Sequence, residues 1–177
     1  MFLHTNQIVL RAMEPQDTDT LYEWENNLEL WEVSNTTTPL SKQNLEEFIS
    51  ASHQDIYTNK QLRLIVQSKA DNSCAGTIDL FDFDPTHGRV SLGIYVHHTH
   101  RGKGFAFDAI ELIKHYCFQV LHLHQIHVDI NAANTESLSL FQKCGFHSSG
   151  IKKAWRKGSD GKFSDVVFMQ CISSLEA

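Results

Sequence analysis

The residues best equipped for chemistry are Arg101-Gly102-Lys103-Gly104-Phe105-Ala106. They stand between an apolar run, Gly93-Ile94-Tyr95-Val96, and an amphipathic stretch from Phe105 to about Leu121. A glycine-rich turn where a strand gives way to a helix leaves backbone N–H groups unpaired and aimed at one spot. The helix N-terminus adds partial positive charge there. Gly102 and Gly104 let the main chain approach a ligand without an intervening Cβ, and Arg101 and Lys103 add charge. Such a turn suits a pyrophosphate. A nucleotide loop of the Walker type is excluded, because Gly104 is followed by Phe105 rather than by a lysine and a hydroxyl residue. A dinucleotide fingerprint is excluded too: the third glycine is missing, and the turn comes past the middle of the chain. Alone, a Gly-x-Gly turn also opens helices that bind nothing.

A second set of residues follows the helix. The strand Ile126-His127-Val128-Asp129-Ile130 leads into Asn131-Ala132-Ala133-Asn134-Thr135-Glu136-Ser137, and then into Leu138-Ser139-Leu140-Phe141-Gln142-Lys143-Cys144-Gly145-Phe146. Arg-x-x-Gly-x-Ala, followed about thirty residues later by Asn-x-x-Ser-x-x-x-Phe-x-Lys-x-Gly-Phe, resembles the GNAT superfamily of acyl-CoA N-acyltransferases. The stretch from Ala75 through Gly104 is similar, without a gap, to bacterial spermidine N-acetyltransferases, with acids at Asp79 and Asp82 and matches at His87 and Arg89. Glu25-Asn26-Asn27 and the final hairpin resemble that family as well. The resemblance covers nearly the whole chain, with its specific motifs between Gly76 and Phe146.

The resemblance implies an α/β GNAT fold, with a mixed, mostly antiparallel sheet splayed beside the cofactor and flanked by helices. It implies acetyl-CoA as cofactor and transfer to a primary amine, first of all a diamine or polyamine such as spermidine. Backbone groups of Ile94, Tyr95 and Val96 would meet the pantetheine arm, and those of Arg101, Gly102, Lys103, Gly104, Phe105 and Ala106 the pyrophosphate. Asn134 matches an asparagine that contacts the arm; its other reading is a helix N-cap. An N–H of Tyr95 or Val96 is the expected oxyanion donor. Glu25, Asp79 and Asp82 are the expected substrate-binding acids.

Amine acetylation requires a deprotonated amine, a stabilised oxyanion and a stabilised thiolate. The amine can attack directly in a ternary complex, without an enzyme nucleophile. The family tyrosine that protonates the thiolate is Phe141 here, which has no proton to give. Water, Cys144, Ser139 or Tyr95 remain as substitutes, and Phe141 itself reads as a core residue. Regular alternation puts residues 79 and 81 on one face of their strand and 82 and 84 on the other. Asp82 is the first choice to take the amine proton through water or to hold a distal ammonium. Where the family often has a further acid, this chain has Ser91.

Two other readings stand beside this one. Acetylation of protein N-terminal α-amines, as in the ribosomal-protein acetyltransferases, would need an open cleft. A sensor binding acyl-CoA or polyamine without turnover is kept open by Phe141.

The elements that must position these residues follow from periodicity. Ile8 to Arg11 reads as a strand, and Glu14-Pro15-Gln16-Asp17 as a helix start. Leu21, Trp24, Leu28 and Trp31 share one helical face, and Ser41-x-x-Asn44 opens a helix to about His53. Residues 61–68, 75–83 and 89–97 read as strands. The helix from Phe105 carries Ala109, Leu112, Ile113, Tyr116 and Val120 at helical spacing. Thr135 to Lys143 is a short helix closed by Gly145, and two strands flank Gly158-Ser159-Asp160-Gly161.

The bulk properties set outer limits. At 177 residues, residues 1–177 read as one acetyltransferase domain. An apolar content of 41% and a mean hydropathy of -0.29 suit a soluble protein, with no run long enough for a membrane span. A formal charge of -6 disfavours nucleic acid as partner and suits a cationic substrate. Acids cluster early, from Glu14 to Glu47, as a solvated face or as a field for cations. Four scattered cysteines and the absence of a visible secretory signal point to the cytoplasm. The two histidine groups around the helix lie roughly 25 Å apart along its axis, so they cannot share an ion, and no metal is expected. A homo-oligomer is expected from the resemblance alone.

Overall fold

Strands form where apolar residues alternate or run together, and seven of them join one sheet. They are β1 (Ile8–Ala12), β2 (Leu62–Ser68), β3 (Cys74–Asp84), β4 (Arg89–Val96), β5 (Gln125–Asn131), β6 (His147–Lys157) and β7 (Phe163–Ile172). A computed structural model describes residues 3–28, 30–31 and 36–173. The strand order is β1-β2-β3-β4-β5-β7-β6. Every neighbouring pair is antiparallel except β4 and β5. Those two pair in parallel over only three positions, ending at Ser91↔His127. Beyond that point β4 continues along β3 to Val96 while β5 continues along β7 to Asn131, so the sheet forks.

Among the described residues, the helices α1 (Thr18–Glu25), α2 (Lys42–Ala51), α3 (Ile56–Asn59), α4 (Phe105–Gln119) and α5 (Thr135–Lys143) flank the sheet. Their starts are chemically marked. A capping box between Glu14 and Asp17 precedes α1, with Pro15 in the first turn. Ser41 and Asn44 form another at α2, and Asp55 caps α3, a short helix that periodicity does not reveal.

The two sheet faces carry separate cores. On the back, Leu64, Val66, Ile78, Leu80, Val90 and Leu92 pack against Phe105, Ala109, Ile110, Ile113 and Cys117 of α4. Each large side chain buried there stabilises the fold by roughly 1.5–3 kcal/mol. On the front, Ile65 meets Leu21, Trp24, Leu45 and Ile49 of α1 and α2.

Two expected packing positions differ. Leu28 lies beyond the end of α1 and is 70% exposed. The helix stops at Asn26, whose side chain bonds both the N–H and the carbonyl of Leu40. Val120 is the C-cap of α4 and faces solvent; Ile110 and Cys117 occupy the buried stripe instead. The described residues contain no helix long and apolar enough to cross a membrane.

Candidate active site

Backbone geometry at the fork decides what faces the gap. The His97 N–H donates to the Ala75 carbonyl at 2.8 Å. In an antiparallel ladder alternate residues bond the same neighbour, so Tyr95 and Gly93 also direct their backbone groups at β3. Ile94 and Val96 therefore direct theirs at β5, which has already diverged. The Val96 carbonyl confirms this orientation: it accepts from Arg101 Nε at 3.1 Å across the open side. Of the two expected oxyanion donors, Val96 faces the gap and the Tyr95 N–H does not. The Tyr95 side chain is on the front face, edge-on to Trp24 with centroids 5.2 Å apart, and burial pushes its phenol pKa up.

The close approach of β3 and β4 depends on Gly76. A Cβ there would lie 2.0 Å from the Tyr95 carbonyl oxygen. No side chain fits, so the residue type is dictated by the strand that borders the gap.

Above the gap, Gly102 and Gly104 both take positive φ, 75° and 83°. Gly104 is the N-cap of the fifteen-residue α4 and supplies no side-chain cap. The first N–H groups of α4 thus remain available, flanked by exposed Arg101 and Lys103. A Cβ on Gly102 would meet nothing within 4 Å, so open space lies over the turn. Asn134 accepts from the Ser137 N–H at 3.1 Å, which is the N-cap reading.

The front face beside the fork holds the acids. Here β3 bulges: its register shifts between Phe81 and Asp84, and Asp82 adopts φ 50°. Regular alternation fails at that bulge. Asp82 and Asp84 lie on the front with Asp79, while Phe83 turns into the back core. Asp82, Asp84, Arg89, Gln125, His127 and Gln170 line an open cleft of about 500 Å³.

The expected substrate acids are not equivalent. Arg63 bridges Glu25 and Asp79, with Nε 2.5 Å from Asp79 and Nη1 against Glu25. Burial raises the Asp79 carboxyl pKa, with Arg63 opposing it. Burial works against the guanidinium, yet the two acids hold its pKa above the ordinary value. Glu25 and Asp79 therefore share Arg63 as a counter-ion within the fold. Asp17 pairs with Arg11 and Asp19 with Lys42, which weakens the expected early acidic field; Glu29 and Glu32 lie outside the described residues. In the cleft, Arg89 takes Asp84 at 3.0 Å. Among the described residues Asp82 makes no salt bridge.

Phe141 is 3% exposed, with its ring edge-on to Phe146 at 5.0 Å. Cys144 is buried in the same core, its thiol pKa pushed up by burial to about 11, while Ser139 lies on the exposed side of α5. Among the described residues no group of three His, Cys, Asp or Glu side chains could hold a metal ion.

Sequence reasoning passed over Arg63 and His127. The signal was polar residues on the face opposite the main core: Arg63 and Gln67, on either side of Ile65, on β2, and Gln125, His127, Asp129 and Asn131 at alternate positions on β5.

A forked sheet with an uncapped glycine turn above the fork is an architecture for holding an acyl carrier. Residues 7–147 match the acetyltransferase (GNAT) domain model, and the chain belongs to that family. It is 26% identical over 171 residues to a spermidine N(1)-acetyltransferase of Vibrio cholerae, covering 96% of this chain and 95% of that one. It is equally, 26%, identical over 170 residues to an uncharacterized N-acetyltransferase, p20, of Bacillus licheniformis, again covering 96% and 95%. Among solved structures, the Vibrio cholerae spermidine N-acetyltransferase in complex with CoA and spermine superimposes with a TM-score of 0.85 at 26% identity, covering 96% of this chain and 98% of that one. The chain is thus an N-acetyltransferase by family, with the GNAT fold expected from its motifs.

Proposed function

We propose that the protein transfers an acetyl group from acetyl-CoA to a primary amine, with a diamine or polyamine of the spermidine type as acceptor. The observation that carries this reading is the joining of two features at the fork. The gap bordered by Ile94 and Val96 opens at Ser91 and His127 onto a cleft that holds Asp82 outside any described salt bridge. When bound, acetyl-CoA supplies the thioester-activated acetyl group.

The chain's residues then divide the work. The N–H groups at the start of α4, with Arg101, Lys103 and the Gly102 and Gly104 turn, hold the pyrophosphate. The inward backbone groups of Ile94 and Val96 hold the arm, and the Val96 or Ile94 N–H faces the carbonyl oxygen as it gains charge. Asp82 receives a distal ammonium of the acceptor. The family resemblance to spermidine N-acetyltransferases supports the same acceptor class.

The test is thiol release from acetyl-CoA with spermidine, comparing the protein with Asp82→Asn. The substitution should raise KM for spermidine about tenfold or more while leaving acetyl-CoA affinity unchanged. An unchanged KM would remove Asp82 from acceptor binding.

A further inference from the structure

The fork contains a pair of side chains to which the proposed reaction has so far assigned no role. Ser91 and His127 are the last residues that join β4 to β5, and Ser91 Oγ lies beside the imidazole, 3.2 Å from Nδ1 and 3.4 Å from Nε2 of His127. Ser91 is buried, whereas His127 is half-buried and lines the cleft. The imidazole rests against Phe168, with ring centroids 5.4 Å apart. It lines the cleft at the point where β4 and β5 part.

We propose that His127, positioned by Ser91, is the group that takes the proton from the acceptor ammonium before attack. This rests on the acetyltransferase reading but not on the acceptor being a polyamine. The step is a single proton transfer. The ammonium nitrogen loses one proton and keeps its electron pair, the neutral imidazole becomes imidazolium, and the proton then passes to water in the open cleft. The nitrogen is left with the free pair that attack requires.

The surroundings favour the neutral imidazole. Burial lowers its pKa from the ordinary histidine value. Asp129 on β5 and Asp82 on β3 act in the opposite direction, and Arg89 on β4 and Lys152 on β6 act with burial. Asp129 pairs with Lys152 and Asp84 with Arg89, whereas Asp82 makes no salt bridge among the described residues. The strand β7 presents the uncharged Gln170 opposite His127, and His147 lies one strand further out on β6. A neutral base at pH 7 next to an incoming ammonium is the protonation state that the transfer needs.

The experiment is the pH profile of kcat/KM, using the best acceptor from a panel of polyamines and peptides, for the protein and for His127→Gln and His127→Ala. CoA binding by calorimetry shows whether each variant retains its fold and its gap. The native profile should rise to a plateau with a midpoint below about 6.5, the ordinary histidine value. In both variants activity at pH 7 should fall by about 10²–10⁴-fold. Their kcat/KM should then climb about tenfold per pH unit through pH 8, because the amine must arrive already deprotonated. A variant that binds CoA normally and shows only a uniform, pH-independent loss, or no loss, would overturn the proposal. If peptides rather than polyamines prove to be the acceptors, the polyamine reading falls, and the same profiles still decide the role of His127.

Discussion

Replacing Arg63 by Met removes the cation between Glu25 and Asp79 while retaining a side chain that packs. The side chains of the three residues are only 20–24% exposed. Exposed ion pairs contribute about 0.2–1 kcal/mol, whereas removing one partner of a buried pair costs about 3–5 kcal/mol. This triad lies nearer the buried limit. The guanidinium also sits 5.5 Å from the centre of the Phe48 ring, a contact that contributes about another 0.5–1 kcal/mol. The expected loss is about 3 kcal/mol, or about 6–12 °C in Tm for a chain of this size. The pH dependence has a definite sign. Burial already places the folded-state pKa of Asp79 above the ordinary carboxylate value, and loss of Arg63 raises it further. A raised acid pKa favours the fold at low pH and is a liability above the folded pKa. The deficit of Arg63→Met should therefore shrink between pH 7.5 and pH 5 in thermal melts. Arg63→Met combined with Asp79→Asn should recover much of it at pH 7.5. A loss below about 0.5 kcal/mol, or one equal at both pH values, would refute this account of the triad.

Other perturbations test the elements around the gap. Gly76→Ala must move β4, since the new Cβ would lie 2.0 Å from the Tyr95 carbonyl; it should cost at least about 2 kcal/mol and weaken CoA binding, read by melting and calorimetry. Lys103→Ala should raise the Kd for CoA several-fold at low salt, and by less at high ionic strength, because an exposed charge is screened. Phe141→Tyr buries a hydroxyl in an apolar core and should cost about 1–2 kcal/mol, with kcat within about threefold of the native value. A tenfold gain in kcat would show that the position still addresses the thiolate.

Much of this architecture is legible in the sequence because the strongest signals are local. The Thr135–Lys143 helix follows from Asn134 before it and Gly145 after it, and the glycine turn before α4 marks the strand-to-helix junction. The fork itself is not local. It depends on where β4 and β5 cease to pair, which no single segment encodes. The bulge at Asp82 escapes for a related reason: alternation assumes a regular strand, and one residue at positive φ moves Asp82 to the other face. Glu25 and Asp79 read as free acids because their partner, Arg63, lies 38 residues from one and 16 from the other. Ion pairing across β2 and β3 appears only once the strands are in register. Ser91 read as a missing acid until its strand pairing with His127 gave it a partner.

The most direct test of the central claim is thiol release from acetyl-CoA against spermidine, spermine, putrescine, an aminoglycoside and short peptides with free N-termini. The account predicts turnover with the polyamines, acetylated at a primary amine, and little with the peptides. Turnover with peptides alone, or tight acetyl-CoA binding with no turnover of any amine, would contradict it.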